Sequence, residues 1–80
     1  MFGYNPPVEV AYFEKVGYGR VTAPISLHQP GQISFWGRYY SAELLNPRPT
    51  ELKIGTYVLV FGERGFSLVV EKDEAIDQEE

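Results

Sequence analysis

The sequence predicts a single small all-β domain of five strands, and three observations carry this prediction. Five short runs of β-branched and aromatic residues are separated by glycine and proline. Polar and apolar side chains alternate along these runs, as they do in half-buried strands. No apolar stripe has the 3.6-residue repeat and the length of a core helix. Because eighty residues can bury only one core, the pattern favours one small barrel or sandwich.

Glycine and proline define the first two elements. The first predicted strand, residues 20–25, follows residues 17–19 (Gly-Tyr-Gly), where a backbone without Cβ atoms can bend sharply into a curved strand. Residues 29–32 have the sequence Gln-Pro-Gly-Gln, which predicts a type II turn with a positive φ at its glycine. This turn leads into the second strand, residues 32–36.

Two hairpins are expected. The second strand and the third, residues 39–45, are joined across Gly37-Arg38, a two-residue link with glycine first, which is typical of a type II′ turn. The fourth and fifth strands, residues 57–61 and 66–70, are joined by the sequence Gly-Glu-Arg-Gly. Their β-branched and aromatic content favours a largely buried, pleated surface.

Side-chain alternation along these strands assigns an inner and an outer face. On the outer face lie Trp36, Tyr39 and Phe61. Burying each large aliphatic side chain of the inner face contributes about 1.5–3 kcal/mol, so the inner set forms the expected core. Its members are Ile33, Phe35, Tyr40, Ala42, Leu44, Val58, Val60, Leu68 and Val70.

The two ends of the chain are predicted to differ from the barrel, which we assign to residues 16–71. In the lead-in, residues 1–15, the stretch 8–14 alternates in polarity and either adds a strand across an open edge or is disordered. Six of the eleven carboxylates lie in the last ten residues, whereas residues 1–70 carry six cations and five anions. The acidic tail, residues 72–80, is expected to be disordered and to aid solubility; an interaction tail is the alternative.

Composition excludes several classes of protein. The absence of cysteine excludes a disulfide scaffold and any thiolate metal site, and it fits a reducing cytoplasm. No stretch approaches the roughly 20 consecutive apolar residues that span a bilayer, and the first residues lack the charged and apolar regions of a signal peptide. We therefore expect a soluble, cytoplasmic chain.

Residues suited to catalysis or metal binding are few. The only histidine, His28, lies two residues from Ser26, and a strand would place both on one face, as a nucleophile and its base require. No aspartate precedes residue 73, so an orienting carboxylate would have to be a glutamate, and we favour a solvated loop histidine. Scattered glutamates give no metal-ligand spacing, and the Gly-x-Gly at residues 17–19 lacks the lysine of a phosphate loop. We expect no catalytic residue, cofactor or metal.

Five segments follow one another in a fixed order along residues 16–71. They are Gly17-x-Gly19-x-Val21, Pro30-Gly31-x-Ile33-x-Phe35-x-Gly37, Tyr40-x-Ala42, Ile54-Gly55-x-x-Val58-x-Val60 and Leu68-x-Val70. Each segment alone is a weak signal, but the ordered set at these spacings is more specific. In this set the chain resembles the soluble C-terminal domain of NfeD-family proteins.

The resemblance implies a five-stranded OB barrel in which the helix usually inserted between strands three and four is missing or reduced. The link of residues 46–55 agrees, because its two prolines disfavour a helix longer than about one turn. In the family, the domain generally follows transmembrane helices and is paired with stomatin- or flotillin-type membrane proteins, in some cases with an N-terminal serine protease domain. The present sequence contains neither, so it is either an excised domain or a free-standing module that reaches its partner by binding.

The outer face supplies a candidate interaction surface, which comprises Trp36, Arg38, Tyr39, Phe61 and Arg64. An exposed apolar patch with charged surroundings is typical of a protein-interaction surface; alternatively, the aromatic residues of segment 1–14 cover it. We expect a non-enzymatic interaction or assembly module that serves a stomatin- or flotillin-type partner, or another copy of itself. Its location would be cytoplasmic, peripheral to the membrane through that partner.

Single-stranded nucleic-acid binding is the alternative function. OB barrels bind such strands with aromatic platforms set in a basic groove. Outward aromatic residues are present, and four arginines lie in or near turns: Arg20, Arg38, Arg48 and Arg64. The near-neutral body provides little counterion release, and the acidic tail repels phosphates, which disfavours this function.

Overall fold

The computed structural model describes residues 9–77 as seven strands and one short helix. In chain order these are β1 (Ala11–Ala23), β2 (Ile25–Ser26), β3 (Gly31–Phe35), β4 (Arg38–Leu44), β5 (Glu51–Leu52), β6 (Tyr57–Arg64), β7 (Ser67–Lys72) and α1 (Glu74–Asp77). Strands β1, β3, β4, β7 and β6 form a closed barrel in this order, and β2 and β5 pair separately. The predicted all-β, five-stranded barrel is therefore confirmed.

The way in which the strands join identifies the type of barrel. All neighbouring barrel strands are antiparallel except β4 and β7, which are parallel. Counted within the barrel alone, the strands follow the order 1-2-3-5-4, with the fourth closing on the first, which is the OB arrangement. Residues 45–56, all of them described, contain only the two-residue β5, so the expected loss of a helix in this link is confirmed.

A cluster of buried aliphatic side chains fills the barrel, and it contains seven of the nine residues predicted to face inward. Phe35 is half-buried and packs against this cluster. The prediction for Tyr40 is wrong, since its side chain is 36% exposed. Tyr40 pairs with Ile33 and so shares the inner face, but its ring lies against Phe35, with 6.1 Å between the centroids, and not in the buried cluster. The cluster consists of Val21, Ile25, Ile33, Ala42, Leu44, Leu52, Val58, Val60, Leu68 and Val70.

The β3–β4 hairpin is present, but its turn begins one residue earlier than expected. Phe35 pairs with Arg38 across Trp36 and Gly37. Trp36 and Gly37 both have positive φ, 55° and 74°. These are the signs of a type I′ turn, so the predicted type II′ turn at Gly37-Arg38 is wrong.

The β6–β7 turn is also displaced. The predicted four-residue link, residues 62–65, is mostly strand, because β6 continues to Arg64, which pairs with Ser67. Gly65 has a positive φ of 65° and Phe66 does not, so the turn has the φ signs of type II′. In both hairpins, therefore, a large aromatic residue occupies the turn itself.

Gly31 lies in a strand without a positive φ, so the predicted type II turn at residues 29–32 is wrong. The chain reverses earlier, within residues 26–29, where the two end residues form an isolated antiparallel bridge. A Cβ at position 31 would overlap the carbonyl oxygens of Ala23 and Pro24. Glycine is required here by a close approach of two backbones and not by its φ.

The first and last strands of the chain, β1 and β7, extend further than the sequence pattern indicated. β1 begins at Ala11, within the predicted lead-in, and β7 ends at Lys72, after which Glu74–Asp77 form one helical turn. Residues 1–8 of the lead-in and residues 78–80 of the tail lie outside the described residues. Among the described residues, no helix combines the length and the apolar character needed to cross a bilayer.

The barrel has two ends of different construction. At one end β1 begins and both the β3–β4 and the β6–β7 hairpins turn; we call it the hairpin end. At the other end β1 and β7 finish, beside residues 24–30 and the link of residues 45–56; we call it the link end. The strand directions require this division, because β1 is antiparallel to both β3 and β6, while β4 is parallel to β7.

Candidate functional site

The candidate site begins at an interruption in the pairing of β1. We call residues 13–16 of β1 the arch. Tyr12, just before the arch, pairs with Gly62 of β6, and Gly17, just after it, pairs with Val60. The arch therefore stands opposite a single residue of β6, Phe61. Pairing with β3 starts only at Arg20. Among the described residues, the arch has no strand partner in the register on either side.

Phe35, the last residue of β3, is the centre of an aromatic cluster. The Phe13 ring from the arch lies parallel to the Phe35 ring, with 6.5 Å between their centroids. Trp36 and Tyr40 approach the same ring at steep angles, with centroid distances of 6.4 and 6.1 Å. Parallel-displaced and edge-on contacts of this kind are favourable between aromatic rings. The contact between Phe13 and Phe35 packs the arch against the β3–β4 hairpin.

Gly17 makes this packing sterically possible. A Cβ at position 17 would lie 2.5 Å from Cε1 of Phe35, well inside van der Waals contact. At Gly19, a Cβ would lie 2.9 Å from the carbonyl oxygen of Ser34. The two glycines thus let the end of β3 and the Phe35 ring lie directly against the backbone of β1.

Trp36 occupies a position that costs free energy and gains little burial in return. Its φ of 55° is in a region that bulky L-residues rarely adopt. Its side chain is 84% exposed, so little apolar surface is buried in return. Asn-Gly is the preferred sequence of a type I′ turn, so turn chemistry does not explain a tryptophan here. Backbone strain of this kind is typical of binding sites.

An open groove of about 640 Å³ lies between the arch and the β3–β4 hairpin. Its volume is in the usual range for ligand sites, about 300–1,000 Å³. Lys15 is the one charged residue among the described residues that line it. The full lining is Phe13, Lys15, Val16, Gly17, Tyr18, Phe35 and Trp36.

Exposed large hydrophobic side chains are concentrated around this groove and the hairpin end. Eleven such side chains are exposed among the described residues, and eight belong to β1, to the β3–β4 hairpin or to the β6–β7 turn. Exposed large hydrophobic side chains that are grouped in this way are typical of interaction surfaces. The eight are Tyr12, Phe13, Val16, Tyr18, Trp36, Tyr39, Tyr40 and Phe66.

The structure brings together only some of the residues in the predicted interaction surface. Trp36 lines the groove, and Arg38 pairs with Phe35 and so shares its face. Tyr39 is exposed on the opposite face of β4. Phe61 is half-buried and lies opposite the arch.

Arg64, the fifth residue of the predicted surface, lies apart from the groove in an ion pair. Its Nε donates a hydrogen bond to Oε2 of Glu43 at 3.1 Å, and its Nη2 donates to the carbonyl of Leu44 at 3.3 Å. These contacts connect β6 to β4 across β7, the strand between them. Arg64 therefore has a structural role.

Sequence reasoning missed Lys15 and Val16 at the groove, and it placed Phe13 there only in the alternative in which the aromatic residues of segment 1–14 cover the outer face. The one local signal was the alternating polarity of residues 8–14, which indicated a strand but not its neighbours. The contact between Phe13 and Phe35 joins residues that are far apart in the chain, so no local pattern predicts it.

Most of the arginines considered for nucleic-acid binding are engaged within the chain. Arg48 Nη2 donates to Oε1 of Glu71 at 2.6 Å. The guanidinium of Arg20 lies over the Tyr57 ring, 5.0 Å from its centroid. Arg64 is paired to Glu43. The fourth arginine, Arg38, shares a face with Phe35, which lines the groove.

His28 and Ser26 line a second pocket, of about 300 Å³, together with Glu43. A base activates a nucleophile through a hydrogen bond. Within the described part of the chain, no side-chain hydrogen bond joins these three residues, and the Glu43 carboxylate accepts from Arg64 instead. Over the same residues, no three histidine, aspartate or glutamate side chains are grouped so as to hold a metal ion.

Fold and site together define a small OB barrel with an aromatic groove beside an interrupted strand. No protein-family model matches the chain, and searches of curated proteins and of solved structures gave no match.

Proposed function

We propose that the chain is a non-enzymatic protein-interaction or assembly module that binds its partner through the groove and the aromatic residues of the hairpin end. Trp36 carries this proposal, because its positive φ costs the free chain stability and its 84% exposure means that little burial offsets this cost. A buried tryptophan is a frequent anchor of protein interfaces, so burial in a complex would offset this cost. The closed barrel acts as the rigid scaffold.

We propose the class of partner from the resemblance to NfeD-family domains. That resemblance supports a membrane-associated partner of the stomatin or flotillin type, with self-association as the second option. The module would then act in the cytoplasm and lie peripheral to the membrane through its partner.

Calorimetric titration with a purified soluble fragment of a stomatin-type protein tests this proposal. The double substitution Trp36→Ser, Tyr39→Ser is expected to abolish binding without unfolding the domain, because both side chains are largely exposed. Ile54→Ser is the matched control, since Ile54 is also exposed but lies at the link end. Unchanged binding by the double variant would reject this surface. Sedimentation of the same variants tests self-association.

Single-stranded nucleic-acid binding is the competing function, favoured by the exposed Trp36 and Tyr39 beside Arg38. The engagement of Arg20 and Arg48 within the chain argues against it. Titration with an oligothymidylate distinguishes the two, because nucleic-acid binding would be micromolar and would weaken steeply with salt. A flat titration at low salt removes this function.

A further inference from the structure

Both hairpins turn at the hairpin end of the barrel, and each turn carries an exposed aromatic side chain. Trp36 occupies the first central position of the β3–β4 turn and is 84% exposed. Phe66 occupies the second central position of the β6–β7 turn and is fully exposed. A Cβ placed on Gly37 or Gly65, the glycines of these turns, would meet no other atom within 4 Å. Both turns therefore project into open space.

The β3–β4 hairpin also projects beyond its neighbour β7. The register of β4 with β7 begins only at Ala42, so within the described part of the chain residues 38–40 are paired with β3 alone. This projecting part carries Tyr39 and Tyr40, which are both exposed. We call residues 36–40 and 65–66 together the tips.

We propose that the tips insert into the interfacial region of a lipid bilayer and attach the barrel directly to the membrane surface. This inference goes beyond the proposed function, because it requires no protein partner. Tryptophan and tyrosine are enriched at both interfaces of a bilayer, where the ring is in an apolar environment and its polar atom remains hydrated. The tips contain one tryptophan, two tyrosines and one phenylalanine.

Phe66 favours a bilayer as the occupant of the tips. It is not part of the groove lining, so a partner seated in the groove alone would leave this side chain exposed. The two tips also belong to separate hairpins, whereas the anchors of a protein interface cluster in closely packed pockets. A fluid bilayer has no fixed shape and can therefore receive both tips at once, with the groove left open beside them for a membrane-associated partner.

The charges around the tips predict shallow insertion. Arg38 is the one charged residue within the tips, and a long side chain of this kind can keep its guanidinium hydrated while its stem lies along apolar surface. At the same end of the barrel, Lys15, Glu14 and Glu63 are all exposed. Carboxylates are costly to move into hydrocarbon, so the tips should enter only the interfacial region. Because the two cations are offset by the two carboxylates, binding should depend little on anionic lipid.

Fluorescence of the full-length chain gives the first test. Trp36 is the only tryptophan, so its emission reports the environment of one tip. On titration with vesicles of phosphatidylcholine alone, we expect the emission to move to shorter wavelength. The expected partition constant is about 10³–10⁴ M⁻¹, at or below that of a single myristoyl chain. An emission that does not change at several millimolar lipid would overturn the proposal.

Two further measurements distinguish shallow insertion from adsorption by charge. Lipids brominated near the headgroup end of the acyl chain should quench Trp36 more strongly than lipids brominated near the chain terminus. Replacing a third of the lipid by phosphatidylglycerol, or raising the salt concentration, should change the partition constant by less than about threefold. Binding that requires the anionic lipid and is lost at high salt would contradict insertion, because it would show adsorption through Lys15 and Arg38.

Phe66→Ser tests whether the second tip takes part. Loss of one inserted ring should weaken vesicle binding at least about threefold, while Trp36 still reports the binding. Ile54→Ser is the matched control, because Ile54 is also exposed but lies at the link end. Circular dichroism shows that both variants are folded. If Phe66→Ser binds vesicles as tightly as the unaltered chain, the insertion of both tips is wrong.

The outcomes separate this inference from the proposed function. If the chain binds vesicles but does not bind the stomatin-type fragment in lipid-free solution, the inference stands and the proposed function is wrong. If the fragment binds in lipid-free solution and vesicles leave the emission of Trp36 unchanged, the proposed function stands and the inference is wrong.

Discussion

The two halves of β1 differ in their strand pairing and in the burial of their side chains. From residue 17 onward β1 pairs with β6, and from Arg20 it pairs with β3 as well, so that Val21 is buried in the core. Before that point lies the arch, whose side chains are exposed and whose backbone is outside the register of both neighbours. One continuous strand thus forms a wall of the barrel and the rim of the groove.

This difference shows how a small domain can tolerate a strained and apolar surface. Stability comes mainly from strands that are paired on both sides and bury aliphatic side chains. The arch and the Trp36 turn contribute little to that burial, so their sequence can be selected for contact with a partner. The predictions below test this separation, beginning with the largest expected effect.

Ile33→Ala should cause the largest loss, because Ile33 is fully buried and pairs with Val21 in the doubly paired half of β1. Truncation of a buried isoleucine costs about 2–5 kcal/mol. Val16→Ala in the arch should change the free energy of unfolding by less than about 0.5 kcal/mol. Urea denaturation followed by circular dichroism measures both. Equal losses would show that the arch supports the barrel as much as the core does.

Gly31→Ala should be the next most damaging change. The added methyl would overlap the carbonyl oxygens of Ala23 and Pro24, which are backbone atoms at the end of β1 and cannot rotate away. Overpacking of this kind costs about 1–3 kcal/mol. Gly37→Ala is the comparison variant, since it meets no neighbouring atom but must adopt a φ of 74°. If Gly31→Ala lost less stability than Gly37→Ala, the backbone at the end of β1 would be able to move away from the added methyl.

Gly17→Ala should affect the site more than the fold. Its methyl would meet the Phe35 ring, which can turn aside, so we expect a loss of stability of only about 1 kcal/mol. The displaced ring should separate from Phe13 and reduce partner binding. Nuclear Overhauser contacts between the two rings report the displacement. If those contacts survive and binding is unchanged, the packing on Gly17 is not what holds the groove open.

Trp36→Asn should have the smallest effect, and of opposite sign. Asparagine tolerates a positive φ and is preferred before glycine in a type I′ turn, so the free energy of unfolding should increase by roughly 0.5–1 kcal/mol. Binding should weaken at the same time. Because Trp36 is the only tryptophan, stability must be followed by circular dichroism. A less stable variant would show that Trp36 supports the fold through Phe35.

Part of the fold could be predicted from local patterns. Alternation identified strands β3, β4, β6 and β7 and seven residues of the core cluster, because a period of two assigns faces wherever a strand is unbroken. It did not identify Val21, Ile25 or Leu52, whose burial depends on closure of the barrel and on the pairing of β2 with β5. It also placed Tyr40 in the core, since periodicity assigns a side chain to a face but does not show how much of that side chain is covered.

Of the candidate site, sequence reasoning found the exposed Trp36 and its neighbour Arg38, but not the groove between them and β1. The groove depends on an interrupted register opposite Phe61 and on the stacking of Phe13 over Phe35. Such contacts join distant segments, and a pattern of neighbouring residues contains no information about them.

By itself, the sequence determined a single all-β barrel without a core helix, because strand periodicity, glycine and proline act over a few residues. Only the tertiary structure decided where each turn lies and how far β1 extends. The register is chosen by the closed barrel as a whole, which must pair five strands at once and bury one set of side chains. In the resulting register, the residues of the arch have no partner on β3 or β6.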